Sequence, residues 1–391
     1  MLRCLTYYLM PTPAQIARLN HFLYVGRKLY NHSLEQRIRF YKSTGKSLSN
    51  YDQTADLTQL RAVSQVLADV PALIEREALR RLDKAFAAFF RRVKERDGKP
   101  AGFPRFKSAN RWNSFAIANP GNIIVLGNRI RVSGVDGSIK ARNVRLPEGK
   151  VKQLRIAHRA GKWYAKLTVD DQQQPPAKVP VIASVGIDVG LNSFATLSTG
   201  EHVPNPRFGR KMASKLRRAH QRLSRCKKGS RNRRKAITRL QRVYAKIADQ
   251  RWNFTHHLSK RLVNEFQLIA VEKLNIAGMV RNRRLSKSIL DAAWGQLLFQ
   301  LHAKAENAGH EVIEVHAPGT SQDCSDCGDK VLKDLSVRVH NCPSCGIVMD
   351  RDENAARNIL ARAKSTGGRP ETNGSGVATG RRRKSKSSTQ H

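Results

Sequence analysis

Carboxylates are scarce in this chain. Its 391 residues hold 30 Asp and Glu against 72 Lys and Arg, for a net charge of +42 and a pI near 10.9. A chain so short of acids repels itself when compact unless a polyanion neutralises it, and a nucleic acid is the natural partner. Long apolar runs are also missing. No stretch reaches the roughly 18 residues of a membrane span, and no signal peptide is visible, so a soluble intracellular protein is expected over a basic membrane-surface one. Cysteine is sparse and unevenly placed. Cys4 and Cys226 stand alone, while the other four of the six lie within 22 positions near the C-terminus. That is not a secreted disulfide framework; it points to a metal site in a reducing compartment.

The length suggests two or three domains. MLRCLTYYLM alternates as a strand does, and helical spacing follows through Ile16, Leu19, Leu23 and Leu29. A second helical block is expected from about Thr58 to Lys94, with Pro71 in a first turn and Gly98 as a stop. Its interleaved Arg76, Arg80 and Lys84 form a basic face, either solvated or in contact with a nucleic-acid backbone. From Trp112 the period changes to two: WNSFAIA, NIIVL, NRIRVSGV, KQLRIAH and KWYAKLTVD read as a small antiparallel sheet or barrel, completed by the N-terminal strand. Just before it, Arg105, Lys107 and Arg111 mix with Phe103, Phe106 and Trp112, a combination suited to phosphate contact and base stacking, or to aromatic entry into a barrel core.

DDQQQPPAKVP, residues 170 to 180, reads as a linker. Beyond it, residues 207 to 242 hold sixteen Lys or Arg and no carboxylate. The pattern predicts a helical hairpin, Met212 to Arg225 and then about Arg231 to Phe266. Lys215, Arg217, Arg218, Arg222, Lys227, Lys228, Arg233 and Arg234 are its candidate nucleic-acid contacts. An amphipathic helix is expected from about Leu285 to Asn307, then a strand at HEVIEVHAP. The tail from Ser365, with RRRKSKSS, reads as disordered.

Three isolated carboxylates stand out. Asp188 interrupts the otherwise apolar strand VIASVGIDVG, where a lone charge is costly unless paired or metal-bound. Glu272 ends the buried strand FQLIAVEKL, where open α/β sheets place ligands; a surface Glu is the plainer alternative. Asp352 lies near the start of the helix MDRDENAARNIL, where the dipole favours a carboxylate, and either it or Asp350 could be a simple cap. Acids that converge only after folding suit a pair of divalent metals clamping a phosphodiester.

Cys324, Cys327, Cys342 and Cys345 form two C-x2-C pairs, followed by Gly328 and Gly346 at the turns. Four thiolates close a tetrahedral site, so the metal is structural; zinc suits the ligands best, with iron as the alternative.

Taken together, GIDVGLNSFATLS, VEKLNIAGM, TSQDCSDCG with CPSCG, and DRDENAARN resemble, in order and spacing, the TnpB (OrfB-type) proteins of insertion sequences, relatives of type V CRISPR effectors. FPRFKSANRWNSF is a weaker marker, and the match covers most of residues 1 to 362. The resemblance implies a multidomain α+β protein: an RNase H-like RuvC nuclease domain with a mixed sheet, an N-terminal wedge β-barrel with an inserted helical lobe, and a four-Cys zinc ribbon. The expected boundaries are 1–10 and 109–179 for the barrel and linker and 11–108 for the helical lobe. Residues 180–320 would form the nuclease domain, including the basic hairpin 210–266. Residues 321–348 would be the zinc-ribbon insert, 349–364 the last nuclease motif and 365–391 the basic tail. It further implies an RNA-guided, metal-dependent DNA endonuclease with Asp188, Glu272 and Asp352 holding two catalytic Mg²⁺ ions and one structural Zn²⁺ on the cysteines. Its partners would be a transposon-derived guide RNA, a double-stranded DNA target and a co-encoded transposase, with no membrane. Its location would be cytoplasmic in a prokaryote, at the nucleoid. A non-catalytic regulator of transposition and a strand-joining transposase are the rival readings.

Overall fold

A computed structural model of the chain describes residues 1–95, 101–118, 125–142, 147–174, 176–316, 319–334 and 337–365. The tail expected to be disordered lies, beyond Ser365, outside the described residues, as does most of the NIIVL stretch. In order, the chain forms β1 (Leu2–Met10), α1 (Pro13–Thr44), α2 (Asn50–Val63), α3 (Gln65–Ala68), α4 (Ala72–Glu95), β2 (Ser114–Ala118), β3 (Val125–Leu126), β4 (Arg129–Ile130), β5 (Ile139–Arg142), β6 (Lys150–Arg159) and β7 (Lys162–Asp170). Then follow β8 (Ser184–Asp188), β9 (Ser193–Leu197), β10 (His202–Pro204), α5 (Phe208–Lys211), α6 (Ala213–Ser224), α7 (Arg231–Glu265), β11 (Leu268–Glu272), α8 (Ile276–Met279), α9 (Ser286–Ala292), α10 (Trp294–Ala308), β12 (Glu311–Val315), β13 (Val339–Asn341), β14 (Val348–Asp350) and α11 (Arg351–Ser365). No helix among the described residues is long and apolar enough to cross a membrane.

Two compact units result. The first comprises Met1–Pro175 with Gly209–Gln250. Its antiparallel sheet has the order β2-β6-β7-β1-β5-β4-β3, so the N-terminal strand sits inside the sheet, between β7 and β5. Alternation explains the packing: Trp163, Ala165, Leu167 and Val169 of β7 all point into one core with Tyr7 and Leu9 of β1, while the residues between them are more exposed. Helix α1 starts on a capping box, with Thr12 and Gln15 bonding reciprocally and Pro13 in the first turn. Its inner face meets α2 and α4 through Tyr30, Leu34, Leu57, Leu79 and Leu82.

Two of the expected helices are broken. The single helical block from Thr58 is three helices, beginning earlier at Asn50 and interrupted where Ser64 turns extended (ψ 104°) and where Pro71 precedes α4. The helix expected over Leu285 to Asn307 is likewise cut in two, because Ala293 adopts φ 60° between α9 and α10. Periodicity continues across such a break, which is why spacing alone missed it.

The second unit comprises Pro176–Phe208 with Arg251–His391. Its mixed five-stranded sheet has the order β10-β9-β8-β11-β12, with β8, β11 and β12 parallel and the β9 and β10 pairings antiparallel. β8 and β11 read as continuous apolar runs because both faces are covered. Ile269 and Val271 face Leu258, Leu262, Trp294 and Leu297, and Ala270 faces Ile359 and Ala363 of α11.

Candidate metal centre and nucleic-acid interface

Asp188 and Glu272 are the last residues of β8 and β11, neighbouring parallel strands paired in register up to Ile187 and Val271. The two carboxyl groups therefore leave the sheet side by side at its C-terminal edge, the position where α/β sheets bind ligands. The third acid arrives on α11. This helix lies hard against β8 because residue 186 is glycine: a Cβ there would sit 2.0 Å from the Ala356 carbonyl oxygen. Asp352 precedes Ala356 by four residues, just over one helical turn and a rise of about 6 Å. Asp188 lies two residues beyond Gly186, roughly 6.6 Å along the strand. The close crossing thus brings both acids to the same end.

Electrostatics records the convergence. Burial, then the charges of Asp352 and Glu272, push the Asp188 carboxyl up to about 8, against an opposing pull from Arg351 and the Val189 backbone. Burial also raises Glu272. Asp350 is the cap: its Oδ1 accepts from the backbone N–H of Asp352 at 2.8 Å and of Glu353 at 3.1 Å. That leaves the Asp352 carboxylate free of capping and held instead by Arg351 at 3.2 Å and Arg338 at 3.6 Å.

Sequence reasoning left Asn354 and Asn358 unassigned, and both are structural keys. Asn354, fully buried, accepts from Ser325 N at 2.9 Å and donates to the Asp323 carbonyl at 2.8 Å. Asn358 donates to the Thr320 and Asp323 carbonyls. One turn on, Arg362 pairs with the Asp323 carboxylate at 2.9 Å. One face of α11 thus packs on the sheet through Ala355, Ala356, Ile359 and Ala363, and another clasps the loop that begins the cysteine site. Two asparagines four apart inside a helix, where their propensity is poor, were the available signal.

The cysteines meet as expected. All four sulfurs lie within 4.8 Å of one another, with Cys324 and Cys345 at 3.7 Å and Cys327 and Cys342 at 3.5 Å. A zinc tetrahedron with bonds of ~2.3 Å has edges of about 3.8 Å, so the donor set fits a structural zinc. The two knuckles repeat one construction. Gly328 N bonds the Cys324 carbonyl and Gly346 N the Cys342 carbonyl, with both glycines left-handed at φ 83° and 73°. The Cys345 and Ser344 amides help pull the Cys342 thiol down to about 7. Cys327, although the Asp329 amide favours its thiolate, is pushed up to about 12 by burial and by the neighbouring thiols. Thiols so divided share protons that a cation displaces.

Among the basic candidates, Arg76, Arg80 and Lys84 fall at four-residue steps on the exposed face of α4, with Arg105 and Arg111 also exposed. Lys107 is half-buried, its ammonium 5.6 Å from the Tyr30 ring centre. Helix α6 buries no residue, so Lys215, Arg217, Arg218 and Arg222 are open to solvent, as are Lys227, Lys228 and Arg234. Arg233 differs: its guanidinium bonds the Leu223 and Cys226 carbonyls and closes the hairpin.

Known proteins agree with this architecture. Residues 166–283 match the OrfB family of IS605 elements, described as "Probable transposase". Residues 294–359 match the "Cas12f1-like, TNB domain" and residues 1–46 a "Helix-turn-helix domain". In this structure that last segment is one strand and one uninterrupted 32-residue helix. A Streptomyces pristinaespiralis protein named "Putative RNA-guided DNA endonuclease" is 35% identical over 368 residues, 92% of this chain and 89% of that one. The Escherichia coli K12 protein of the same description, InsQ, is 28% identical over 378 residues, 92% of each. The chain in a solved Cas12f1-sgRNA-target DNA complex shares the fold, with a TM-score of 0.55 at 16% identity, covering 89% of this chain and 82% of that one. Over nearly its whole length, then, this chain belongs to the TnpB-type OrfB family of IS605 elements.

Proposed function

We propose that this chain is an RNA-guided, divalent-metal-dependent DNA endonuclease of RuvC type that cuts beside a short flanking motif. One observation carries the reading: three carboxylates from distant segments converge on one sheet edge of a protein whose net charge is +42. Asp188 at the centre, with Glu272 and Asp352 on either side, would hold two Mg²⁺ ions. The donor set is hard oxygen, and a divalent cation would offset both the burial and the neighbouring carboxylates that raise the Asp188 pKa. Bound there, such ions supply Lewis-acid stabilisation to the phosphodiester and its leaving oxygen.

The chain's own residues supply position. Gly186 lets α11 approach, and Asp350 takes the capping role so that Asp352 can serve the site. Arg351 and Arg338 orient the Asp352 carboxylate. The zinc-bearing loop, joined to α11 through Asn354 and Asn358, is the proposed target-nucleic-acid insert. Exposed stripes on α4 and α6 suit the backbone of a guide RNA and its heteroduplex, with sequence read by base pairing. A cytoplasmic, nucleoid-associated setting beside a co-encoded transposase follows from this reading.

The test is to purify the protein with its RNA, sequence that RNA, and present a DNA library with randomised flanks in Mg²⁺. Motif-dependent cutting in wild type, lost in Asp188→Ala, is the expected result. Binding without cutting would favour a regulator, and strand joining a transposase.

A further inference from the structure

The first unit contains a cavity of about 550 Å³ to which the nuclease reading gives no role. Its walls come from α1, the segment before β2, the β6–β7 turn and the first half of α7. The volume suits a ligand of nucleotide size.

Its chemistry is specific. Tyr24 and Tyr244 both line it and keep about half their surface exposed, 50% and 48%. Tyr244 is preset: its hydroxyl lies 3.0 Å from His220 Nε2, and the two rings meet edge to face. A planar face held open in this way is a stacking platform. The side-chain amides of Asn20, Asn113 and Gln241 line the same cavity and have no partner among the described residues. Each offers a donor and an acceptor together, the pairing that a base edge presents. No carboxylate lines the cavity, whereas Arg27, Arg159 and Arg234 do.

Two further features decide between a small metabolite and a polymer. A separate groove along α7, lined by Arg231, Lys235, Arg239 and Arg242, shares Arg234 and Thr238 with the cavity. It gives a continuous cationic track for flanking phosphates. The walls are also braced before any ligand arrives: Arg159 pairs with Asp249 at 3.0 Å, Arg242 bonds the Ala160 carbonyl at 3.4 Å, and the Trp112 floor packs on Tyr30 at 5.2 Å.

We infer that this cavity captures the base of one unpaired nucleotide, stacked on Tyr244 or Tyr24 and edge-bonded by the amides, while its neighbours' phosphates lie on the α7 groove. The inference rests on the proposed handling of nucleic acid. An RNA nucleotide and one from a DNA strand opened at the target share this chemistry.

The experiment uses the full-length protein with its co-purified RNA, labelled with 4-thiouridine during growth, and ultraviolet crosslinking read by peptide mass spectrometry. The expected crosslinks fall in the peptides carrying Tyr24 or Tyr244. Their presence before DNA is added assigns RNA. With photoreactive thymidine analogues in the target, crosslinks to these peptides that appear only after DNA is added assign the opened strand. Rebinding of stripped RNA, or target capture in the second case, should weaken about tenfold in Tyr244→Ala and be retained in Tyr244→Phe. Gln241→Ala, an exposed change, should alter which nucleotide crosslinks without altering the fold. Unchanged crosslinks and affinity in a folded Tyr24→Ala, Tyr244→Ala protein that still cuts guided DNA would overturn the cavity assignment and leave the nuclease reading intact. A wild type that binds neither RNA nor DNA would overturn both.

Discussion

The second unit carries two candidate metal sites built on opposite plans. The cysteine site draws four ligands from 22 consecutive positions, and its sulfurs already stand at zinc-like spacing. The acid site draws three candidate ligands from segments 80 or more residues apart, and these carboxylates repel one another. A closed thiolate cage holds structure, whereas a strained, open carboxylate cluster is suited to chemistry. Helix α11 joins the plans, with Asp352 at its first turn and Asn354 and Asn358 bonded to the cysteine loop.

The comparison can be broken at either site. The largest effect is expected from Asp188→Ala, which should lower DNA cleavage by on the order of 10³-fold or more, since it removes several kcal/mol of metal-borne stabilisation. RNA binding, measured by filter retention, should stay within a few-fold. Cys342→Ser should remove zinc, measured by elemental analysis, and with it most soluble protein, because ribbon folding depends on the metal. A zinc-free wild type would refute the site. Asn354→Ala strips the Ser325 amide of its partner and takes from the Asp323 carbonyl one of its two donors, the other being Asn358, and should cost about 2 kcal/mol of stability in a denaturant titration. It should also weaken cleavage while zinc is retained, which is how a joint differs from a ligand.

Acidity sharpens the contrast further. Unfolded Asp188 ionises near 3.8 and folded Asp188 at about 8, so between these values the folded state holds more protons. In chelator, thermal stability should therefore fall as pH rises through that window, and the gain on adding Mg²⁺ should be larger at pH 8 than at pH 5.5. Asp188→Asn should flatten the dependence; an unchanged pH profile would contradict the crowding. The smallest effect concerns the basic surface. Replacing Lys215, Arg217, Arg218 and Arg222 with Gln should reduce the slope of RNA affinity against salt, by up to about one unit per lost phosphate contact.

Much of this was legible. The apolar runs ending in Asp188 and Glu272 are strands because strands covered on both faces need such runs, and the C-x2-C spacing is a local geometry that survives any fold. The hairpin boundaries at Ala213–Ser224 and Arg231–Glu265 follow the break at Lys227–Ser230. Arg233 was not legible as a closing residue, because its carbonyl partners become reachable only when the turn forms. The cavity beside Tyr244 was equally hidden, since its walls come from four separate stretches.

Charge follows from composition alone, and the two hydrophobic periods and each C-x2-C knuckle were set by the amino-acid order, since they depend on neighbours within a few residues. Tertiary structure alone decided which of Asp350 and Asp352 is the cap, that Gly186 exists to admit α11, and that three distant acids share one edge. Those outcomes depend on contacts between segments that only packing brings together.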